Sequence, residues 1–261
     1  MKIATWNING VKARIDSLVA WLKQAEPDVV CLQEIKSQTE AFPAADIEAL
    51  GYSVAVHGQK GFNGVALLSR LPMEDVRRGF PGEPDEAQSR YIEAVIAAGS
   101  RVVRVGGLYL PNGNPIDSPK FTYKLAWMEA FEAHARSLLA HEEMLVLAGD
   151  YNVIPEPVDA KTPAAWTGDA LFQPQSRTVW RRFEALGMTD AIRACHSESG
   201  VYTFWDYQAG AWQKDNGIRI DHLLLSPQAT DRLISVGIDK FTRGWEKPSD
   251  HVPVWVDLDV S

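Results

Sequence analysis

Several apolar runs of this chain end in side chains able to do chemistry. Leu145–Ala148 runs into Gly149, Asp150, Tyr151 and Asn152; Val29–Gln33 runs into Glu34; Ile3–Trp6 runs into Asn7 and Asn9. Asp221 opens the run Leu223–Leu225, and Asp250 and His251 open the run Val252–Val256. Taken singly, each has an ordinary explanation. An Asp after Gly is a turn former, a Glu at a strand end is usually solvated, and a lone His is more often structural than catalytic. Together, carboxylates with neutral amides suit a hard, oxygen-preferring cation such as Mg²⁺. No His or Cys pair has the spacing of a zinc site. An imidazole added to such a set points to phosphoryl chemistry, in which charge is neutralised and a nucleophile aligned. Because side chains alternate along a strand, Asp150 and Asn152 are expected on one side of the same strand.

The elements that must position these groups are legible as apolar runs. Strands are predicted at "KIATWNI", "DVVCLQ", "YSVAV", "GVALLS", "YIEAVIA", "RVVRVGGLYL", "MLVLAG", "RIDHLLLS" and "VPVWVDL". Several are nearly continuous in apolar residues, as strands covered on both faces are. Helices are predicted over 12–25, 119–140 and 177–187. The second has Ser118 as N-cap, Pro119 at its first position, and an apolar face of Phe121, Leu125, Met128, Phe131, Ala135 and Leu138. Strands mixed with helices throughout, with no long linker or repeat, predict one layered α/β domain over 1–261. Long loops at 79–90 and 155–176 are candidates for function. Strand ends are where sites collect in layered α/β folds.

The 261 residues are 46% apolar and 23% charged, ordinary for a soluble globular protein. No segment approaches the ~20 apolar residues of a membrane span. Trp6, Asn7 and Asn9 stand where a signal peptide needs an unbroken apolar stretch. The two cysteines, Cys31 and Cys195, form no disulfide framework, and Cys31 within "VVCLQ" reads as a buried thiol. A reducing cytoplasm is the expected location. The net charge of −8 argues mildly against nucleic acid. Acidic residues gathered around a cation lower the net charge while making a site that attracts phosphate, so the charge leaves the partner open.

In order along almost the whole chain stand "ATWNING", "LQEIK", "NGVALLS", "GLYLPNG", "GDYN", "RIDH" and "PSDH". This ordered set resembles the exonuclease III family of abasic-site endonucleases, within the endonuclease/exonuclease/phosphatase superfamily. The resemblance implies a four-layered α/β sandwich, DNase I-like, with two β-sheets face to face and helices outside. It implies Mg²⁺, with Mn²⁺ as an alternative, held chiefly by Glu34, with Asn7 placing that carboxylate, Asn9 beside the metal and Asp250 adding outer or alternative metal contacts. By the same resemblance Asp150 orients and deprotonates the attacking water and Asn152 positions that water or a phosphate oxygen. His251 contacts the scissile phosphate, with its tautomer and charge set by Asp221, and Tyr109 bonds a phosphate oxygen or assists the leaving group.

The resemblance further implies an apolar pocket of Phe204, Trp205 and Ile218 for a flipped-out, base-free deoxyribose, although core packing is the ordinary reading of such aromatics. Lys120, Lys124, Arg90 and Arg219 are the expected DNA-phosphate contacts, with a solvated surface as the alternative for each. His57, His134, His141, His196 and His222 match no catalytic role; His134 and His141, on one predicted helix, are expected to face solvent. The implied activity is incision 5′ to abasic sites, with 3′→5′ exonuclease or 3′-phosphatase trimming of duplex DNA, by a monomer without membrane association. A phosphodiesterase acting on lipid or soluble phosphoesters shares Glu34, Asp150, Asn152 and His251. Such enzymes usually lack "LYLPNG" and "TFWDY". A binding relative that has lost catalysis is disfavoured by the presence of every catalytic group.

Overall fold

A strand that is apolar on both faces has to be covered twice, and the chain does this with two sheets and two helical layers. The computed structural model describes residues 1–261. Its strands are β1 (Lys2–Asn7), β2 (Val29–Gln33), β3 (Ser53–His57), β4 (Val65–Ser69), β5 (Met73–Arg78), β6 (Tyr91–Ala98), β7 (Arg101–Tyr109), β8 (Met144–Asp150), β9 (Thr189–Asp190), β10 (Asp221–Leu225), β11 (Leu233–Ile238) and β12 (Val254–Leu258). Two six-stranded sheets result, ordered β11-β12-β1-β2-β4-β3 and β5-β6-β7-β8-β10-β9. Each contains one parallel pair, β1 with β2 and β7 with β8, among antiparallel neighbours. The helices are α1 (Ile15–Ala25), α2 (Ala44–Glu48), α3 (Pro119–Leu139), α4 (Pro174–Ala185), α5 (Ala191–Cys195) and α6 (Pro227–Thr230).

Alternation divides each central strand between two cores. On β8, Val146 and Ala148 enter the core between the sheets, while Leu145 and Leu147 pack with Trp127 and Phe131 of α3 and Trp180 and Phe183 of α4. On β1, Ile3 faces inward, and Ala4 and Trp6 pack with Leu18, Trp21 and Leu22 of α1. Cys31 lies in the inner core, fully buried. Gly107 lets the sheets close there, since a Cβ on it would stand 3.1 Å from the Cys31 Cβ. The expected four-layered sandwich is the observed one.

The inward-facing rows end in polar residues at one edge of the sandwich. Thr5 and Gln33 hydrogen-bond each other above the apolar core, and Asn7 follows Thr5 on the same face. In the other sheet Tyr109, Asp150 and Asp221 are cross-strand neighbours on β7, β8 and β10. The site is thus the polar end of the inter-sheet core.

The sequence reading missed three strands, β5, β9 and β11, all at sheet edges. β5 and β11 are partly exposed along their lengths and β9 has two residues, so none carries a continuous apolar run. α3 begins as expected, with the Ser118 Oγ accepting from the Lys120 amide and Pro119 following. Its buried face, however, centres on Lys124, Trp127, Phe131, His134 and Leu138, with Phe121 and Leu125 only half-buried. His134 therefore does not face solvent. It stacks on Phe80 and reaches Glu93 Oε2 at 3.2 Å, whereas His141, just past the helix, is exposed.

Candidate active site

Asn7 joins the two sheets chemically. Its Oδ1 accepts the Asn9 amide at 3.0 Å, which fixes Nδ2 toward the carboxylates, where it donates to Glu34 Oε1 and Asp150 Oδ2, each at 2.9 Å. Asp150 Oδ1 accepts the Asn152 amide at 2.9 Å, so "NIN" and "DYN" make the same side-chain-to-backbone turn on opposite sheets. Asn9, Glu34 and Asn152 all have left-handed backbone, with φ of 46°, 46° and 48°. Asn tolerates this region, whereas Glu does so at a cost, and such strain gathers at functional sites. β8 ends at Asp150, so Asn152 is not on the strand as expected; the turn, rather than strand alternation, places it beside Asp150.

From Glu34 a polar chain runs outward. Lys36 Nζ pairs with Glu34 Oε2 at 3.0 Å and donates to Asn9 Oδ1, and Asn9 Nδ2 donates to Asp250 Oδ1 at 3.0 Å. On the other flank His251 Nδ1 lies 2.9 Å from Asp221 Oδ2, and Nε2 lies 3.7 Å from Asp150 Oδ2. Nδ1 must carry a proton to meet a carboxylate, which leaves Nε2 facing the site. The Thr203 hydroxyl accepts the amides of Ile220 and Asp221 and donates to Asp221 Oδ2 at 2.6 Å.

Burial raises the proton affinity of the Asp150 carboxyl, and the nearby Asp221 and Glu34 charges add to the rise. Burial opposes the His251 imidazolium, but the Asp221 and Asp150 carboxylates outweigh it and hold the group charged above its ordinary range. For Glu34, burial is overcome by the Asn7 hydrogen bond and the Lys36 charge, so its carboxyl stays below its usual value. Burial, then the Glu34 and Asp150 charges, holds the Tyr109 phenol well above its ordinary value.

The donor set fits a hard divalent cation. Ligand atoms of Glu34, Asp150 and His251 lie within 4.8 Å of one another, and the carboxylates converge with only an amide between them. A dication held against such oxygens would relieve the like charge of Asp221 and Glu34 that adds to the effect of burial on the Asp150 carboxyl.

Beside the site, a cleft of about 590 Å³ runs from Tyr109 past Arg90, Asn63 and Asn112 to Lys120. Arg90 is largely buried, its guanidinium 5.0 Å over the Tyr109 ring and bonded to the Tyr109 carbonyl at 3.1 Å. Lys120 is exposed on the cleft wall. The other two expected phosphate contacts are not at the surface. Arg219 is fully buried between Asp159 and Asp190, at 2.7 Å from each, and donates to His222 Nδ1. Burial, then Arg219, lowers the His222 imidazole to about 4, so it is a neutral core group. Lys124 is also fully buried, bonded to main-chain oxygens.

The expected apolar pocket divides because adjacent residues point opposite ways. Phe204 lies edge-on to His251 at 4.9 Å and pairs with Ile218, whose small buried core the half-buried Trp166 and Phe172 also pack against. Trp205 points into a separate core with Tyr202, Ala211 and Val252, its indole bonded to Asp215. It is a core residue, and its amide donates to the Asp250 carbonyl, supporting the turn that carries His251. Sequence reasoning missed Thr203, Lys36, Trp166 and the cleft amides Gln59, Asn63 and Asn112. Only the amides had a signal, lying in or near the glycine turns "FNG" and "PNG".

Two packed sheets with carboxylates, amides and an imidazole at their shared edge define a phosphoester hydrolase of the DNase I-like class. The chain belongs to the Endonuclease/Exonuclease/phosphatase family, whose model matches residues 4–251. It is 35% identical to exodeoxyribonuclease III of Haemophilus influenzae, covering 99% of this chain and 100% of that protein. Among solved structures, a 3′ phosphatase, NExo, from Neisseria, bound to a product DNA hairpin, superposes with a TM-score of 0.95 at 38% identity over 99% of both chains. An AP endonuclease from Archaeoglobus fulgidus superposes with a TM-score of 0.94 at 37% identity over 100% of both.

Proposed function

We propose that this enzyme is a divalent-metal-dependent DNA-repair nuclease that hydrolyses the phosphodiester 5′ to abasic sites and trims blocked 3′ ends of duplex DNA. The observation that carries the reading is the row Tyr109–Asp150–Asp221, capped by His251 and opening into a cleft lined by amides, Arg90 and Lys120. A backbone phosphate laid along the cleft meets donors and positive charge before it reaches the carboxylates.

Glu34 would be the principal holder of Mg²⁺, or of Mn²⁺ in its place, with Asn7 setting the carboxylate, Asn9 beside it and Asp250 acting through Asn9. A cation held by these residues would supply charge neutralisation to the phosphate oxygens and the departing 3′ oxygen. Asp150, its proton affinity raised, takes the proton of the attacking water. Asn152 donates to that water or to a phosphate oxygen, and His251, held charged by Asp221, donates from Nε2 to a non-bridging oxygen. Tyr109, kept protonated, donates to a phosphate oxygen. Phe204, Ile218 and Trp166 form the apolar wall for a deoxyribose without its base. The enzyme acts as a monomer in the cytoplasm.

The test compares duplexes carrying one abasic analogue, a 3′-phosphate or an intact 3′-hydroxyl, with Mg²⁺ and with EDTA. Cleavage of the first two that EDTA abolishes is expected. No action on any duplex, with hydrolysis of a lipid or soluble phosphodiester instead, overturns the reading.

A further inference from the structure

Lys124 is the only buried lysine of the chain. It lies on the face of α3 that buries Trp127 and Phe131, and it makes no ion pair. Its ammonium donates instead to the main-chain oxygens of Asn112 and Asn152. Burying a cation without a carboxylate partner is costly, and an apolar side chain of similar length would fill the space. Burial lowers its proton affinity to about 7, with Asp150 and Asp169 opposing the fall.

The ammonium ties together two turns that meet at the site. Asn112 Nδ2 donates to Asn152 Oδ1 at 3.1 Å, and Asn152 Nδ2 donates to the Leu110 carbonyl at 2.9 Å. Gly113 follows with φ of +91°, and a Cβ there would stand 2.6 Å from Lys124 Cδ, so the loop rests on the lysine stem. Beyond it Asn114 bonds Asp169 and the Ala170 amide, which carries the tie into the segment ahead of α4. Two carbonyl oxygens that would repel a phosphate are thereby turned inward, and the amide side chains are left at the site.

We propose that Lys124 is a positioning residue for phosphodiester hydrolysis, fixing the Asn112 and Asn152 turns from behind so that the Asn152 amide meets the reacting phosphate. The proposal rests on the reading of Asn152 given above. Lys124 itself does not touch DNA.

The experiment is a double-mutant cycle of Lys124→Met with Asn152→Ala on an abasic-analogue duplex with Mg²⁺. It is read as the single-turnover rate at saturating enzyme, so that any inactive fraction drops out. Lys124→Met is expected to slow cleavage by about tenfold or more with the duplex Kd changed less than about threefold, a loss confined to the transition state. In the Asn152→Ala background the same substitution should cost less than about twofold, because the two residues act as one unit. An unchanged rate in Lys124→Met, or an equal loss in both backgrounds, overturns the proposal. A normal rate in Asn152→Ala alone overturns the role of Asn152, and the proposal with it. If Lys124→Met does not fold, Lys124→Gln, one atom shorter and able to keep only part of the tie to the two carbonyls, carries the same cycle. A loss of about threefold or more is then expected in the wild-type background and less than about 1.5-fold in Asn152→Ala; equal losses in both backgrounds overturn the proposal.

Discussion

Asp150 and Asp221 stand directly opposite each other on β8 and β10, two fully buried carboxylates in register. Like charges placed so oppose sheet pairing. The His251 imidazole bridges them, close to Asp221 and looser on Asp150. The sheet therefore carries at its edge a charge arrangement that packing alone would not select.

Asp150→Asn removes one of the opposed charges and leaves the His251–Asp221 pair intact. Turnover is expected to fall by about 10²–10⁴-fold, the usual contribution of a positioned base. The melting temperature should hold or rise, as when a functional site gives up strain. Paired single-turnover and thermal-melt measurements decide the matter; a variant several degrees less stable would show that the opposed carboxylates do not conflict.

Lys120 and Arg219, both basic and both near site motifs, should separate cleanly. Lys120→Ala is expected to weaken duplex binding and reduce the slope of log affinity against log salt by about one, with stability unchanged. Arg219→Met leaves Asp190 without its buried partner and Asp159 with Arg193 alone, and should cost about 3–5 kcal/mol. Salt titrations and denaturant melts on both variants check this, and a salt-slope change in a stable Arg219→Met protein would return that residue to the DNA surface.

The same cluster sets an acid limit. Burial raises the Asp159 carboxyl, but Arg219 and Arg193 outweigh burial and hold it below its usual value. A depressed folded value gives stability that is present above the unfolded carboxyl value of about 3.9 and is lost as pH falls through the lower folded one. The wild-type melting temperature should drop below about pH 4, and Asp159→Asn, less stable at neutral pH, should show a shallower drop there. Parallel slopes for the two proteins would exclude the linkage.

Neighbouring aromatics divide in the same way. Phe204→Ala should slow incision at an abasic analogue more than removal of a 3′-phosphate, with a modest change in stability. Trp205→Ala opens a cavity in a closed core and should cost about 3–5 kcal/mol. Side-by-side substrate assays and melts distinguish them; a fully stable Trp205→Ala protein would contradict its core placement.

The chain shows its central strands plainly because each feeds two cores and so is apolar on both faces. Edge strands β5 and β11 are covered on fewer sides and leave no such run. Asp150, Glu34 and His251 were legible because polar groups break apolar runs at the point where the strands stop. Lys124, Arg219 and Trp205 were misread for a common reason: nearness in sequence to a motif does not say which way a side chain points. Lys120 and Lys124 are one helical turn apart, yet the first stands in the cleft and the second lies under the Gly113 loop. Thr203 left no trace, since its role depends on a loop closing against β10.

β1 pairs with β12, and the Trp6 indole bonds the His251 carbonyl, so early and late parts of the chain complete the site together. A growing polypeptide that has not yet reached residue 251 has no imidazole opposite Asp221, and its first strand still lacks β12. A fragment that ends before residue 251 lacks the imidazole that bridges Asp150 and Asp221, whatever else of the two sheets it forms.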